Sequence, residues 1–314
     1  MEPRITISIV TWNHESSITQ CIESIVKQTY HNYEIRITDN GSSDRTVEAI
    51  RNFHPISLVV NPTNVGFSKA HNQVIHQSTA DYALIMNPDV FLPPTFLETL
   101  VGFAEKHNDG GSFGGKLLRP ESLSETMKGG IVDTTGLILS RNLQVTNRGE
   151  GEIDTGQFGI AGKVFGHSGA LVLLKRKALK TVAIGSEYFD EDFFAYKEDA
   201  DFAWRLQTAG YPAYYDPQAV AYHMRAVKAS ARKMRSVRIR QLSYKNHLLL
   251  IFKNESLHHL FFNSPWIITY ELKKFLYLLF FEPRSLAVLP EFFKQLPHIL
   301  QKRKVLNNRL IYHV

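Results

Sequence analysis

The chain holds one cysteine, Cys21, in 314 residues. No internal disulfide framework can form, and a lone thiol points to a reducing compartment. Cys21 falls on the apolar face of an expected helix, where it serves as a small core residue. The sequence also lacks an unbroken apolar run of the ~20 residues that a spanning helix needs. Its most apolar stretch, Trp266 to Phe281, is interrupted by Glu271, Lys273 and Lys274. The start, Met1-Glu2-Pro3-Arg4, leads into a strand without the basic region and apolar core of a secretion signal. A cytoplasmic protein is the expectation. No internal repeat or low-complexity linker occurs. Nor does a glycine-rich loop with a Lys or Arg follow the first strand, which argues against a nucleotidyltransferase with a cradled triphosphate.

What is present is the composition of a core-forming chain, 44% hydrophobic and 21% charged. The length suits one large domain, or a domain of roughly 220–250 residues with an extension. The net charge of +6 is local. It gathers in an expected helical segment, Arg225 to Lys253, that carries Arg225, Lys228, Arg232, Lys233, Arg235, Arg238, Arg240 and Lys245. Few aromatics interleave with that run, so base stacking is poorly served and nucleic acid is not the expected partner. Two aromatic-rich amphipathic segments follow, Leu257 to Phe281 and Leu286 to Leu300, the second leading into Lys302-Arg303-Lys304. Apolar faces with Phe261, Phe262, Trp266, Leu276, Phe280, Phe292 and Phe293, flanked by Lys and Arg, suit a helix lying in a membrane interface. A packed cap or a homodimer surface is the competing expectation.

The first hundred residues alternate strands with helices. Ile5 to Val10, Tyr33 to Thr38, Ser57 to Val60 and Tyr82 to Met86 read as strands. Between them, Ile18, Cys21, Ile22, Ile25 and Val26 keep a helical period after a Ser16-Ser17 cap. A helix from about Phe67 to His76 follows a loop from Asn61 to Gly66. Such βαβ units wind into a parallel sheet, and ligands collect beyond the carboxyl ends of its strands. Those ends carry Asn13, Asp39, Asn64 and Asp89. In Asn87-Pro88-Asp89, Pro88 breaks the strand ladder and leaves the Asp89 carboxylate at a strand end, a natural seat for a divalent cation.

After a helix near Pro94 to Lys106, the stretch Gly110 to Gly162 reads as an antiparallel insertion, with short strands such as Ile131–Val132 and Leu137–Leu139. Ala170 to Leu174 is a further strand, followed by a basic turn, Lys175-Arg176-Lys177. His167, just before it, is expected to be structural, with acceptor contact second. Glu198 and Asp199 open a helix whose apolar face is Phe202, Ala203 and Leu206. Carboxylates suit a helix N-terminus, and an Asp beside aromatics is also placed to act as a tuned base. Ala213 to Tyr215 and Val220 to Tyr222 read as two short strands, with His223, a residue type that ligates metals, directly after them.

Taken together, Val10-Thr11-Trp12-Asn13, Thr38-Asp39-Asn40-Gly41-Ser42-Ser43-Asp44, Asn64-Val65-Gly66-Phe67 with Asn72, Asn87-Pro88-Asp89, Glu198-Asp199 with Trp204-Arg205, and His223 resemble family 2 inverting glycosyltransferases of the GT-A fold. The resemblance runs from about Ile5 to Lys253 and is closest to rhamnosyltransferase-like bacterial members. It implies a GT-A nucleotide-binding α/β domain over residues 1–253, with a donor-binding half (1–107) and an acceptor and catalytic half (108–253). A helical extension would occupy 254–314. By the same resemblance Thr11, Asn13 and Asp39 would hold the base and ribose of a dTDP- or UDP-sugar. Asn64, Gly66, Phe67 and Asn72 would line the nucleoside pocket, with Asn87 and Arg205 further donor contacts. Asn87 stands where the family's DxD motif has its first Asp; Asp89 is its last acidic position and His223 the later ligand of Mg2+ or Mn2+. Asp199 would be the catalytic base, with Glu198 its neighbour. The implied activity is inverting transfer, best matched by L-rhamnose from dTDP-rhamnose, to a saccharide or lipid-linked acceptor. A UDP-sugar enzyme of the same fold and a non-enzymatic basic membrane- or nucleic-acid-binding protein are the alternatives. Peripheral attachment at the cytoplasmic face of a membrane is the expected location.

Overall fold

The computed structural model describes residues 2–119, 130–224 and 237–310. Four parallel strands, β1 (Ile5–Thr11), β2 (Tyr33–Asp39), β3 (Ile56–Val60) and β4 (Tyr82–Met86), lie in the order 3-2-1-4. They are joined by α1 (Ile18–Val26), α2 (Thr46–Arg51) and α3 (Phe67–Gln77). The sheet then continues through strands of both directions. These are β5 (Val90–Phe91), β6 (Ser112–Arg119), β7 (Ile131–Thr134), β10 (Gly162–Val164), β11 (Leu171–Lys175) and β12 (Ala213–His223). β11 runs antiparallel to both β4 and β6, which joins the four parallel strands to the rest of the sheet without a break. A separate two-stranded hairpin is formed by β8 (Leu137–Leu139) and β9 (Val145–Asn147).

Side-chain alternation along β4 shows how the layers form. Tyr82, Leu84 and Met86 pack with α1 and with α4 (Phe96–Lys106) on one face. Ala83 and Ile85 pack on the other face with α3, α5 (Arg176–Val182) and α6 (Glu198–Thr208). Cys21 is fully buried in the first of these layers. Ser17 stands at the start of α1 but its hydroxyl makes no capping bond, and Val26 at the other end is exposed.

Two local expectations are corrected. The basic triplet is not a turn: Lys175 ends β11 and Arg176 and Lys177 open α5, whose start is anchored by Arg176 guanidinium bonds to the carbonyls of Ile75 and Ala80. The two short strands near the end of the sheet are one strand, β12, whose register against β6 shifts between Asp216 and Val220. Pro217 sits in this irregularity, where a missing donor is tolerated. Gly115 is required opposite it, since a Cβ there would lie 1.8 Å from the Ala219 carbonyl oxygen.

The C-terminal helices are α7 (Val237–Asn254), α8 (Leu257–Phe281), α9 (Pro283–Leu286) and α10 (Leu289–Leu310). Leu249 to Ile251 of α7, Ile267 of α8, and Phe292 and Ile299 of α10 share one buried cluster with Phe193, Ala203 and Trp204. Phe292 therefore faces inward, unlike the exposed Phe293, and leaves the expected outer face. Arg225, Lys228, Arg232, Lys233 and Arg235 lie outside the described residues. The rest of that basic run is paired: Arg238 and Lys245 with Glu291, and Arg240 with Glu282.

Deeper still, Lys253 reaches Asp190 at 2.5 Å and Asp201 at 2.7 Å, while Lys302 reaches Asp190 at 2.6 Å. Burial opposes the Asp190 charge, yet Lys253 and Lys302 overcome it and hold its carboxyl well below the usual range. This stabilisation is present at neutral pH and is lost only as the pH falls below the ordinary value of 3.8. Lys253→Met should cost about 3–5 kcal/mol, because it leaves buried carboxylates uncompensated. Urea unfolding of the full chain at neutral pH measures this loss; a midpoint equal to wild type would show the cluster to be energetically idle.

Candidate active site

Proline fixes the geometry of the central turn. Val90 donates to the Asn87 carbonyl at 3.2 Å, closing a turn with Pro88 at its second position. Asn87 itself donates to the Ala170 carbonyl at 2.9 Å, tying the turn to the start of β11. Beyond the turn β5 pairs with the end of β12, placing His223 opposite Val90. That pairing brings Asp89 and His223 together across 134 residues, with Oδ1 of Asp89 3.2 Å from Nε2 of His223. His223 is the last residue of β12 rather than a loop residue. Its Nδ1 lies 2.8 Å from Oδ2 of the fully buried Asp133, which fixes the ring. Burial works against a charge on His223, but hydrogen bonds to Asp133 and Asp89 outweigh it and raise the imidazole pKa. Asp133 is a site residue that no sequence pattern marks.

Two protein donors thus meet at the cleft, one oxygen and one nitrogen, the nitrogen backed by a buried carboxylate as metal-bound histidines commonly are. Among the described residues no group of three or more acidic, His or Cys side chains forms a metal cluster. The pair nevertheless fits Mg2+ or Mn2+ bound jointly with a substrate diphosphate, since such ions use one or two carboxylates and complete their shell with phosphate oxygen and water.

Facing them is the start of α6. Asp199 accepts from the Gly169 N–H at 3.2 Å and from the Ala200 N–H at 2.7 Å. Phe67, Asn87, Asp89, Glu198, Asp199 and His223 line one open cleft of about 1730 Å3, its mouth included. Glu198 is buried there, and one of its carboxylate oxygens has no hydrogen-bond partner among the described residues. Burial, reinforced by the Asp199 charge, pushes its pKa up to about 8. At neutral pH Glu198 is mostly a neutral acid.

The backbone leading into α6 is strained. Phe194, Tyr196 and Lys197 all have left-handed φ angles, 60°, 71° and 72°, each costing roughly 1–2 kcal/mol for a side-chain-bearing residue. Asn246 of α7 holds this segment, donating to the carbonyls of Phe193, Ala195 and Tyr196 at 2.7, 2.9 and 2.7 Å. The Gly66–Phe67 loop grips it from the other side, where Phe67 donates to the Phe194 carbonyl at 2.7 Å. Gly66 is needed at that contact: its φ is +89°, and a Cβ would lie 2.6 Å from the same carbonyl oxygen. Asn246 lies on the buried face of α7 alongside Lys245 and Lys253, and no local sequence feature marks it.

The remaining expected donor contacts form an interlocked edge beside the cleft. Asp39 is fully buried and accepts from the Ser42 N–H and hydroxyl. Asn13 accepts from the Ser43 N–H at 2.8 Å, and Asn64 from the Gly66 N–H at 2.9 Å. The Thr11 hydroxyl is buried without a partner among the described residues. Asn72 braces the far loop instead, bonding Phe189 through both its amide atoms. Arg205 is corrected outright. Its guanidinium is buried and engaged by Asp201, Val182 and Tyr188, none of which lines the cleft, so it is not placed to touch a donor. His167 lies buried with its pKa pushed down to about 3 by burial, a neutral ring under Gly114.

A family model described as Glycosyl transferase family 2 matches residues 6–182. The chain belongs to this family. Among relatives of this glycosyltransferase, an N-acetylglucosaminyl-diphospho-decaprenol L-rhamnosyltransferase of Mycobacterium tuberculosis is 24% identical over 242 residues, 71% of this chain and 76% of that protein. A poly-beta-1,6-N-acetyl-D-glucosamine synthase of Staphylococcus epidermidis is 26% identical over 224 residues, 69% of this chain but 49% of that one. A mannosyltransferase from Pyrobaculum calidifontis, solved in complex with GDP-Man and Mn2+, shares the fold with a TM-score of 0.58 at 16% identity, across 100% of this chain and 87% of that one. The mixed sheet is thus that of GT-A glycosyltransferases, with a helical C-terminal region added.

Two substitutions separate the roles at this site. The folded-state pKa of Glu198 lies above its ordinary value of 4.5, so its contribution to stability is complete below that value and declines as the pH rises towards about 8. Glu198→Gln should therefore gain thermal stability relative to wild type across this window, as melting curves against pH would show; parallel curves would mean that Glu198 is charged at neutral pH. Asp89→Ala should weaken Mn2+-dependent binding of a nucleoside diphosphate in calorimetric titration while keeping the thermal transition. Loss of the transition with binding intact would make Asp89 a structural residue.

Proposed function

We propose that this family 2 glycosyltransferase transfers L-rhamnose from dTDP-rhamnose, with inversion at the anomeric carbon, to a lipid-linked or other saccharide acceptor in cell-surface polysaccharide synthesis. The observation that carries the reading is that the Asp199 carboxylate and the Asp89–His223 pair line one cleft. The match to a rhamnosyltransferase whose name specifies a diphospho-decaprenol acceptor, along 71% of this chain, supports the sugar and the lipid carrier.

In a single displacement the acceptor hydroxyl attacks the anomeric carbon as the nucleoside diphosphate leaves from the opposite face. Asp199 takes the hydroxyl proton. Backbone N–H groups of Gly169 and Ala200 orient its two oxygens, and the neutral Glu198 adds no second charge beside it. Such a base contributes typically ~10²–10⁴-fold. The loops carrying Thr11, Asn13, Asp39, Asn64, Gly66 and Phe67 receive the nucleoside. Asp89 and His223 would hold Mg2+ or Mn2+, which when bound offsets the charge gathering on the departing diphosphate.

Residues beyond 253 act as a helical extension that rests on a membrane surface. Among the described residues no helix is long and apolar enough to cross a membrane. Along α8, however, Phe261, Phe262, Trp266, Phe280 and Phe281 are between 49% and 75% exposed, an aromatic surface suited to an interfacial helix.

A turnover screen over dTDP-, UDP- and GDP-sugars with Mg2+ and Mn2+ tests the donor; turnover of UDP- or GDP-sugars alone would overturn dTDP-rhamnose. Asp199→Asn should lower kcat by at least ~10²-fold with donor affinity nearly unchanged, because a base acts in the transition state. Near-wild-type turnover in that variant would place the base elsewhere.

A further inference from the structure

The turn of the β8–β9 hairpin and the outer side of α8 enclose a groove of about 950 Å3, open to solvent. Ser140, Arg141 and Asn142 line it from the hairpin, and Trp266, Tyr270 and Lys273 from the helix. We propose that this groove seats the phosphate-bearing headgroup of a membrane-embedded acceptor lipid. The assignment rests on the glycosyl-transfer reading of the cleft and adds to it the place where the acceptor's anionic carrier is recognised.

Charge is the first argument. Among the described residues neither Arg141 nor Lys273 has a carboxylate partner. In the same C-terminal region Arg238, Arg240, Lys245, Lys253 and Lys302 are each paired with an acid. The Arg141 guanidinium carbon sits 5.6 Å from the centre of the Trp266 ring. Stacking of this kind orients the planar cation and leaves its N–H edge available for phosphate oxygens. Lys274, the next residue along, is engaged over the rings of Tyr244 and Tyr270. Two unpaired cations on an aromatic floor suit a phosphate ester better than a neutral sugar.

Position is the second argument. Phe262, Trp266, Lys273 and Phe280 fall within one narrow stripe of α8 by helical spacing. Phe262 is 61%, Trp266 49% and Phe280 72% exposed. The groove therefore interrupts an exposed aromatic stripe with cations, the composition of a headgroup boundary rather than of a bulk-water site. This selects a lipid as the source of the phosphate.

Connection to the chemistry is the third. Leu137 of β8 and Val145, Thr146 and Asn147 of β9 line the catalytic cleft, while the turn of the same hairpin lines the groove. Val145 pairs with Leu139 beside that turn, so the cleft lining runs along β9 up to the edge of the groove and the hairpin bridges the two. The hairpin is held firmly in that bridge. Its turn is closed by Ser140–Gln144 and Leu143–Ser140 backbone bonds of 2.9 and 2.8 Å, and Gln144 bonds the Tyr270 hydroxyl on α8.

The test uses the full chain and flotation with phosphatidylcholine vesicles doped with polyprenyl phosphate. Plain phosphatidylcholine and charge-matched phosphatidylglycerol vesicles serve as references. Arg141→Ala with Lys273→Ala should lower recruitment to the polyprenyl phosphate vesicles about tenfold while leaving nucleoside diphosphate binding unchanged. Lys273→Gln alone, on the exposed helix face, should show a smaller loss in the same direction, and it remains informative if changing the hairpin turn disturbs folding. Unaltered recruitment of these variants overturns the proposal. So does equal, equally variant-sensitive recruitment by phosphatidylglycerol, which would reduce the groove to a general anionic contact. Inorganic pyrophosphate that binds the soluble protein with the same dependence on Arg141 and Lys273, and matches the vesicles in affinity, would replace the lipid by a free phosphate species. Wild-type donor turnover is measured in parallel: its absence, with variant-sensitive recruitment intact, would overturn the transferase reading and not the groove.

Discussion

The contact on which the catalytic side of the molecule depends is the buried meeting of Lys253 and Lys302 with Asp190. The two lysines come from different C-terminal helices, and Asp190 opens the turn at Glu191–Phe193 that runs into the left-handed residues before Glu198. A backbone strained at three positions within four residues persists only where its surroundings overdetermine it. Here Asn246 binds its carbonyls from α7, and the Gly66–Phe67 loop binds it from the donor side. The C-terminal helices are thus part of the device that positions Asp199. Burying several charges to build that anchor is expensive, and the expense is offset only because each charge has a partner of opposite sign.

The same economy of geometry governs the opposite wall. Asp89 owes its position to a turn and a two-residue strand, and His223 to the far end of the longest strand of the sheet. Pairing of β5 with β12 joins them, and Asp133 from β7 fixes the ring from behind. Three segments distant in the chain must dock before an oxygen and a nitrogen donor face the same cleft. The single antiparallel strand β11 between β4 and β6 makes this possible, since β6 and its parallel partner β12 then point the same way as β4 and bring the carboxyl end of β12 to the edge where Asp89 sits.

The hairpin of β8 and β9 ties the two ends of the proposed reaction path. Its strands border the cleft, and its turn borders the cationic groove on α8. An acceptor whose sugar reacts at Asp199 and whose carrier lies in a membrane needs such a bridge, because the hydroxyl must be presented at a fixed distance from the lipid surface. Phe292, turned into the core, and Phe293, turned out, show how narrowly α10 divides between packing and exposure.

Local chemistry alone determined the four parallel strands, their helices, the strand-breaking Asn87-Pro88-Asp89 turn and the acidic start of α6. Each depends on residue period, β-branched runs, or a proline that no tertiary contact needs to explain. The family resemblance rested on these same local pieces. Other features were settled only by long-range packing. Arg205 looked like a free cation at an active-site helix and is consumed by Asp201 and two carbonyls. Asp133 and Asn246 carry no local signature, since their roles arise from partners 90 residues away and from a loop on another element. The neutrality of Glu198 depends on burial, and the basic run of α7 is neutralised by acids from α9 and α10 or their borders. A sequence shows which groups can ionise or bond; only the folded chain decides which of them find partners and which are left to face a ligand.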